Sequence, residues 1–547
     1  MTAIENGLDD AIDCMWYVYC GTLVFLMQAG FGMLEVGSVR KKNSRNILIK
    51  NFMDASIGAI MWWFSGYAIA FGTDSGRDAF GGGGDGYGVF GKPNPQGDDW
   101  IKGDQPGQNY FQFWFFQFAF SAAAVSITSG AVAERCQMAA YFMYALVLVG
   151  LIYPVVVHWV WSADGWLSNF AMKHPSDGDD YDPARKWVSV GVIDFAGSGV
   201  VHMTGGVCAF CGAWVLGPRT GRFDTEGNVV TRGFTPQSSA LQALGTFLLW
   251  FGWYAFNAGS TLGMWSGAPL LAARCVVTTT LSAAASAITC VTFGYIMYGE
   301  YQLGAAMNGV LGGLVSITAG CPVVEPWAAV VIGIIGGLVY TGWSKLMLMM
   351  KIDDVVDAVA VHCACGMWGL WAAALFAKKD YVCQYAAGVC TFASEDAMGA
   401  FYGGNGKLLG MANLLILCIW VWVGGVMFMM FTIFDSLKLL RVSNDEEMFG
   451  LDISHHGGAD EGGMGLDCEL LVAYKAQNIN LDKFQVLAMC MAEKLDAMPV
   501  LQKFDEAVGK KGILDNETDY DRFLSLIGYV PGEYANSGQI EMVEADE

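Results

Sequence analysis

Charge is scarce in this chain: only 15% of its 547 residues are Asp, Glu, Lys or Arg, and just six are histidines. That leaves too little polar surface to cover a soluble globule of this length, which excludes a water-soluble enzyme or binding domain as the main body. The amino-terminal stretch MTAIENGLDDAID has no basic residues ahead of the first apolar run, which argues against a cleaved leader. No HExxH appears, and no nucleophile elbow with a paired base, so an intramembrane hydrolase finds no support. The net charge of −22 gathers in loops and tail, and no nucleic-acid partner is expected.

Apolar residues and glycine fill the space that charge leaves. Hydrophobic residues make up 54%, aromatics 13%, and there are 70 glycines; mean hydropathy is +0.40. This is the composition of a polytopic membrane protein, in which small residues let helix backbones approach closely. Most of the 15 cysteines sit in apolar segments, where a thiol behaves as a small hydrophobe. Cys208 with Cys211 and Cys363 with Cys365 lack convergent ligands, so no metal and no cofactor is expected. Cys383 and Cys390, in a loop assigned to the outside, are a candidate disulfide.

A membrane helix needs ~20 mainly apolar residues. About eleven such stretches can be read, at 14–38, 47–72, 111–133, 138–160, 188–216, 238–257, 263–297, 305–320, 324–347, 355–377 and 408–440. Basic residues mark one side: VRKKNSRNILIK after the first stretch, GPRTGRF and Arg232 after the fifth, Lys345 and Lys351 after the ninth. By the positive-inside rule that side is cytoplasmic. The loops at 73–110 and 162–187, rich in Asp, Gly and Pro, then face outward, as does the amino terminus.

Two segments five spans apart repeat one pattern. DFAGSGVVHMTGG starts at Asp194 and DVVDAVAVHCACG at Asp354; each places a histidine eight positions after the aspartate and a glycine four positions after the histidine. Helices five apart run antiparallel, so the correspondence reads as an inverted repeat. Eight residues rise ~12 Å in a helix, which puts each Asp near one membrane face and sends His202 and His362 to the midplane. One such histidine is more often a packing residue, and Asp194 is most simply a helix cap. Two ionisable groups in matched positions at membrane depth are costly, and such groups line pathways or pair with each other.

At these residues the chain resembles the ammonium transporter family, the Amt branch of the Amt/Rh superfamily. The likeness runs over roughly 14–458 and is carried by MQAGFGMLEVGSVRKKN, GAVAER, DFAGSGVVH, GPRTGR, GWYAFNAGS and DDVVDAVAVHCACG, in the family's order. It implies an all-α polytopic protein of eleven transmembrane helices with a five-plus-five inverted repeat. The amino terminus would be outside, the carboxyl terminus cytoplasmic, and the assembly a homotrimer in the plasma membrane.

It also implies roles. Trp161, Ser260 and Phe120 match an outer site that recruits ammonium; Phe120 and Phe256 match a gate; His202 and His362 match twin pore histidines. Gln117 lies at a pore-adjacent position and Asp194 supports the recruitment site. The aromatic at Trp161 favours Amt over Rh-type members. The chemistry suits these residue types: aromatic faces replace part of a cation's hydration by about 0.5–2 kcal/mol per ring. Neutral ammonia crosses an apolar pore without the penalty an ion would meet. Methylammonium is left open as a second substrate.

Residues 1–442 read as the membrane domain and 443–547 as a cytoplasmic regulatory tail. GLDISHHGG resembles the family's tail motif, which docks on a neighbouring subunit and places Ser454 as a phosphorylatable hydroxyl. After Gly458 the chain departs from the family, with ADEGG. Later segments such as LDKFQVLAMCMAEKLDAM look helical, and ILDNETDYDRF lacks EF-hand ligand spacing. A kinase or another cytoplasmic partner at the tail is expected, and an ammonium sensor signalling through the tail is the alternative reading.

Overall fold

The computed structural model describes residues 3–71, 110–162, 165–168, 191–264, 267–385, 396, 398–456, 481–482, 486, 497–508, 513–514 and 517–526. Most of the loops at 73–110 and 162–187, Cys390, and most of LDKFQVLAMCMAEKLDAM lie outside the described residues. Cys383 is disulfide-bonded.

Eleven long apolar helices form the body. They are α1 (Ala3–Ser38), α2 (44–71), α3 (Tyr110–Ala131), α4 (Met138–Trp161), α5 (Ser198–Leu216) and α6 (Ser239–Gly259), then α7 (Ala268–Tyr298), α8 (Leu303–Thr318), α9 (Pro326–Met349), α10 (Val359–Phe376) and α11 (Lys407–Ser436). Eight are long and apolar enough to cross a membrane by length and composition alone. Two short tail helices follow, α12 (Asn444–Phe449) and α13 (Leu451–His456). Further on, α14 (Ala497–Val508) and α15 (Glu517–Leu526) accompany a two-residue antiparallel pair, Leu481–Asp482 with Ile513–Leu514.

Charged residues from four inter-helix segments converge at one face and fix the alternation of the bundle. Arg40 follows α1, Glu134 and Arg135 follow α3, Arg219 follows α5, and Asp353 precedes α10. Glu134 accepts from Arg40 Nε at 2.5 Å and from Arg219 Nη1 at 3.0 Å, while Arg219 also grips Asp353 through Nε (2.7 Å) and Nη2 (3.0 Å). Buried Arg135 gives its donors to the carbonyls of Ala131, Ala133, Gly217 and Asp353, satisfying peptide oxygens left over where α3 and α5 end. Burial raises the pKa of the Glu134 carboxyl, but Arg40 and Arg219 outweigh it and hold it at about 2. Asp353, buried too, is held well below the usual carboxylate range by Arg219. Arg40, Arg219 and Arg222 all lie over the ring of Phe234, at 4.9, 5.0 and 5.4 Å from its centroid. The ends of α1, α3 and α5 and the start of α10 therefore share one side, the side that the basic loops mark.

The fifth apolar stretch does not form one regular helix over its described residues. Residues 191–197 are irregular and pair with the end of α8: Phe195 N donates to Ala319 O at 3.1 Å and Ala196 N to Thr318 O at 3.2 Å. The helix starts at Ser198, so Asp194 and His202 are not spaced along one regular helix, and the ~12 Å helical rise expected between them does not apply. Asp194 still satisfies the new helix, its Oδ2 accepting from Gly199 N (3.0 Å) and Val200 N (2.8 Å). Asp354 does the same in the other half, Oδ2 accepting from Val359 N at 2.8 Å. Both helices open with a π-helical turn that carries the histidine, Ser198–Met203 and Val359–Ala364. Such turns are rare and frequent at functional sites.

The glycines four residues after each histidine explain how α5 and α10 meet. A Cβ on Gly206 would sit 2.3 Å from Cys363 N, and one on Gly366 would sit 2.6 Å from Ser198 O. Each glycine thus admits the backbone of the opposite helix beside its histidine. Adding a methyl group at either point must push the helices apart. Overpacking of this kind costs about 1–3 kcal/mol, so Gly206→Ala should lower the unfolding temperature of the purified protein. Gly342→Ala, whose Cβ meets nothing within 4 Å, should not, since Ala is worth about 1 kcal/mol more than Gly in a helix. Equal melting curves for the two variants would show that the crossing has slack.

Candidate functional site

One face of α6 supplies much of the site. Trp253, Phe256 and Ser260 recur at three- and four-residue steps, the spacing that aligns side chains along a helix. The ring of Phe256 stacks on Phe120 from α3, centroids 4.0 Å apart at 23°. Trp161, at the end of α4, meets Phe120 edge-on at 5.9 Å, and its indole N–H donates to Asp194 O at 2.8 Å. On its inner side Phe256 faces His202, with centroids 5.4 Å apart. Trp253 stacks on the same imidazole at 4.9 Å and 15°, and its own N–H is tied to Thr318 Oγ1 at 2.9 Å.

His202 and His362 then meet across the crossing. Their Nδ1 atoms lie 3.2 Å apart, and the ring centroids are 5.2 Å apart. Two facing Nδ1 atoms can bond only if one donates and the other accepts. In the neutral pair the histidines are therefore opposite tautomers, one presenting an Nε2 lone pair and the other an Nε2–H. His202 Nε2 is buried with no hydrogen-bond partner among the described residues.

Trp161, Phe120, Phe256, His202 and His362 are thus brought into one continuous row. Asp194 is joined to it through the indole, but its carboxylate turns to the start of α5, and Oδ1 finds no partner among the described residues. Ser260 sits one turn beyond Phe256 and donates to the Phe256 carbonyl at 2.8 Å, which leaves its oxygen lone pairs free to accept. Gln117, buried on α3 one turn from Phe120, has an Oε1 with no hydrogen-bond partner among the described residues. Trp253 was missed by sequence reasoning. Its signal was available, because it lies three residues before Phe256 and so shares that helix face.

Ser454 lies far from this row, exposed on α13, with its hydroxyl donating to Gly450 O at 3.0 Å. The tail around it docks on its own chain. Asp452 accepts from Arg45 N (2.9 Å) and Asn46 N (2.8 Å), and Leu451 N donates to Asn43 Oδ1 at 2.9 Å. Glu447 accepts from Thr220 N at 2.7 Å and from Arg441 Nη2 at 2.7 Å. Among the described residues no group of three or more His, Cys, Asp or Glu side chains is placed to hold a metal ion.

The ammonium transporter family model matches residues 15–461. Ammonium transporter 1 member 1 of Arabidopsis thaliana is 42% identical over 441 residues, 78% of this chain and 80% of that one. Ammonium transporter 1 member 1 of Oryza sativa subsp. japonica is 42% identical over 82% of this chain and 85% of its own. Among solved structures, a protein titled Sensor Amt Protein superposes with a TM-score of 0.69 at 29% identity, covering 82% of this chain and all of that one. Candida albicans Mep2 superposes with a TM-score of 0.65 at 26% identity, over 83% of this chain and 90% of its own. A match across the whole helical body, on the motifs that build both the charged face and the histidine crossing, shows that this chain belongs to the ammonium transporter family.

Proposed function

We propose that the chain moves ammonium across the plasma membrane by recruiting the cation outside, removing a proton, and passing ammonia along the histidine pair. The observation that carries this reading is the unbroken row from Trp161 through the Phe120–Phe256 stack to His202 and His362. Its outer end offers aromatic faces and the free lone pairs of Ser260, a setting for a compact cation that donates hydrogen bonds. Inward from the stacked rings the row offers only imidazole nitrogens and apolar walls, a setting for a neutral molecule. Potassium, alike in charge and size, cannot give up a proton, so this order selects against it. The Cys383 disulfide suits an oxidising outer side.

Assembly as a homotrimer and division into a membrane body (1–442) and a tail (443–547) belong to the same proposal. A sensor reading has one observation in its favour, the likeness to the protein titled Sensor Amt Protein. Flux separates the two. Labelled methylammonium uptake and current, recorded from the same expressing cell, should both rise above those of control cells. A protein delivered to the surface that moves neither would be a sensor.

Three variants probe the roles. His202→Ala or His362→Ala should cut selective transport at least tenfold and admit potassium; wild-type selectivity in both would remove the histidines from the mechanism. Trp161→Leu keeps an apolar side chain but loses the aromatic face, so the half-saturating ammonium concentration should rise several-fold with trimer yield unchanged. An unaltered concentration dependence would make Trp161 a packing residue.

Ser454 is proposed as the switch. A phosphate adds about −1.5 to −2 charges two residues from Asp452, whose carboxylate holds the start of α2, and on the helix whose His455 faces Glu446 at 3.3 Å. Arg45, which donates to His456 O at 2.8 Å, is the cation this charge would draw off its present contact. Ser454→Asp is expected to abolish most uptake and Ser454→Ala to retain it. If the tail also reaches a neighbouring subunit, mixed trimers should lose activity beyond the mutant fraction. Full uptake by Ser454→Asp protein at normal surface level would leave this serine without a switching role.

A further inference from the structure

A second buried ionisable cluster lies between α1, α2, α3 and α4, on helices that contribute to the row no side chain of this group. Glu35 of α1, Lys50 and Asp54 of α2, and Tyr141 and Tyr144 of α4 are all within 2% of full burial. Tyr141 donates to Asp54 Oδ2 at 2.7 Å. Glu35 accepts from Asn51 Nδ2 at 2.7 Å and from the hydroxyl of Ser129 on α3. Lys50 Nζ donates to Cys136 O at 3.1 Å and lies 5.0 Å from the centre of the Tyr141 ring.

Two features set this group apart from the arginine network. First, its own charges do not sum to zero. Glu35 and Asp54 outnumber Lys50, no salt bridge among the described residues joins Lys50 to either, and the one further guanidinium that faces Lys50, that of Arg135, gives its donors to carbonyls of the arginine network. A dry interior strongly disfavours a net charge, and one added proton removes it. Second, buried polar atoms are left over around it: Asp54 Oδ1, Asn51 Oδ1, the Tyr144 hydroxyl and Gln28 Nε2 have no hydrogen-bond partner among the described residues. Buried polar atoms in such numbers mark a place where water is held.

Other titratable groups that face the cluster are Cys136 and Arg135 after α3, Cys208 from α5 and His456 from α13. Asp54 lies ten residues into α2, ~15 Å from its start at the cytoplasmic face, and Cys136 belongs to the turn on that same face.

We infer that Glu35, Lys50 and Asp54 form a proton-binding site, separate from the twin histidines, which takes up one proton from the cytoplasmic side and makes transport depend on cytosolic pH. The ligand is a proton carried by buried water, and Tyr141 positions the Asp54 carboxylate. The pH dependence rests on the transport reading above, whereas the proton binding itself does not.

Infrared difference spectra of the purified full-length protein, titrated with acid in the absence of ammonium, test the binding. One protonated-carboxyl band should appear, and Asp54→Asn or Glu35→Gln should remove or displace it; its persistence unchanged in both variants overturns the site. Uptake measured against cytosolic pH tests the coupling. Lys50→Met removes the cluster's own cation, so the carboxyl pair binds protons more tightly and the midpoint should rise by at least one pH unit, a tenfold change in proton concentration. Tyr141→Phe deletes a single hydroxyl that favours the ionised Asp54 and should move the midpoint in the same direction, which keeps the test available if Lys50→Met fails to fold. A wild-type pH profile in Tyr141→Phe and in any folded Lys50→Met overturns the coupling. A band that titrates normally in a variant with no ammonium uptake would fault the transport reading and leave the proton site standing.

Discussion

Everything at the centre of this molecule depends on how closely α5 and α10 cross. Two imidazoles can share a hydrogen bond only if their backbones come together at the histidine level, and Gly206 and Gly366 are the residues that permit it. Each half of the inverted repeat supplies one histidine, one glycine and one capping carboxylate. Neither half makes the pair alone. Because the contact joins the same atom of two histidines, a pseudo-symmetric scaffold ends in a chemically unequal pair, one Nε2 donating and the other accepting. That inequality suits ammonia, which can do both.

The distribution of charge follows the same logic. Ion pairs at the cytoplasmic face are closed on themselves, with Glu134, Arg219 and Asp353 buried and mutually saturated. Breaking one partner there would strand a buried charge, at about 3–5 kcal/mol. The row from Trp161 to His362 contains no ion pair among the described residues, and its only formal charge, on Asp194, is spent on backbone amides. Strong charge therefore holds the frame, while the row proposed as the path consists of rings and imidazoles, whose attraction to a cation is weak.

Much of this was legible from residues alone. The eleven apolar stretches and the Asp-to-His repeat needed only hydropathy and spacing, and the glycine after each histidine was visible as part of the repeat. What could not be read was where α5 begins. Apart from Ser189 and Asp194 the segment before it is as apolar as the helix, yet residues 195 and 196 spend their amides on α8, and the left-handed Gly197, φ 101°, turns the chain into the helix only afterwards. The role of GAVAER and GPRTGR was hidden for a different reason. Arg219 of the second reaches Glu134 of the first across 85 positions, and Arg40 reaches the same glutamate across 94, separations that no periodicity reports. The arginine cage on Phe234 and the seat of α13 are hidden in the same way.

That seat has a mechanical consequence. The first amides of a helix need acceptors, and α2 takes two of its own from Asp452, more than four hundred residues away in sequence. A cap of this kind contributes about 0.5–2 kcal/mol. Since α2 is continuous from 44 onward, the same helix carries Asn46 against His456, then Lys50 and Asp54 into the buried cluster, each about one turn further in. The tail and the cluster therefore share a single rigid element. Whatever releases Asp452 frees the amides at one end of that helix and loosens the position of the two charged side chains that the membrane interior must keep neutral.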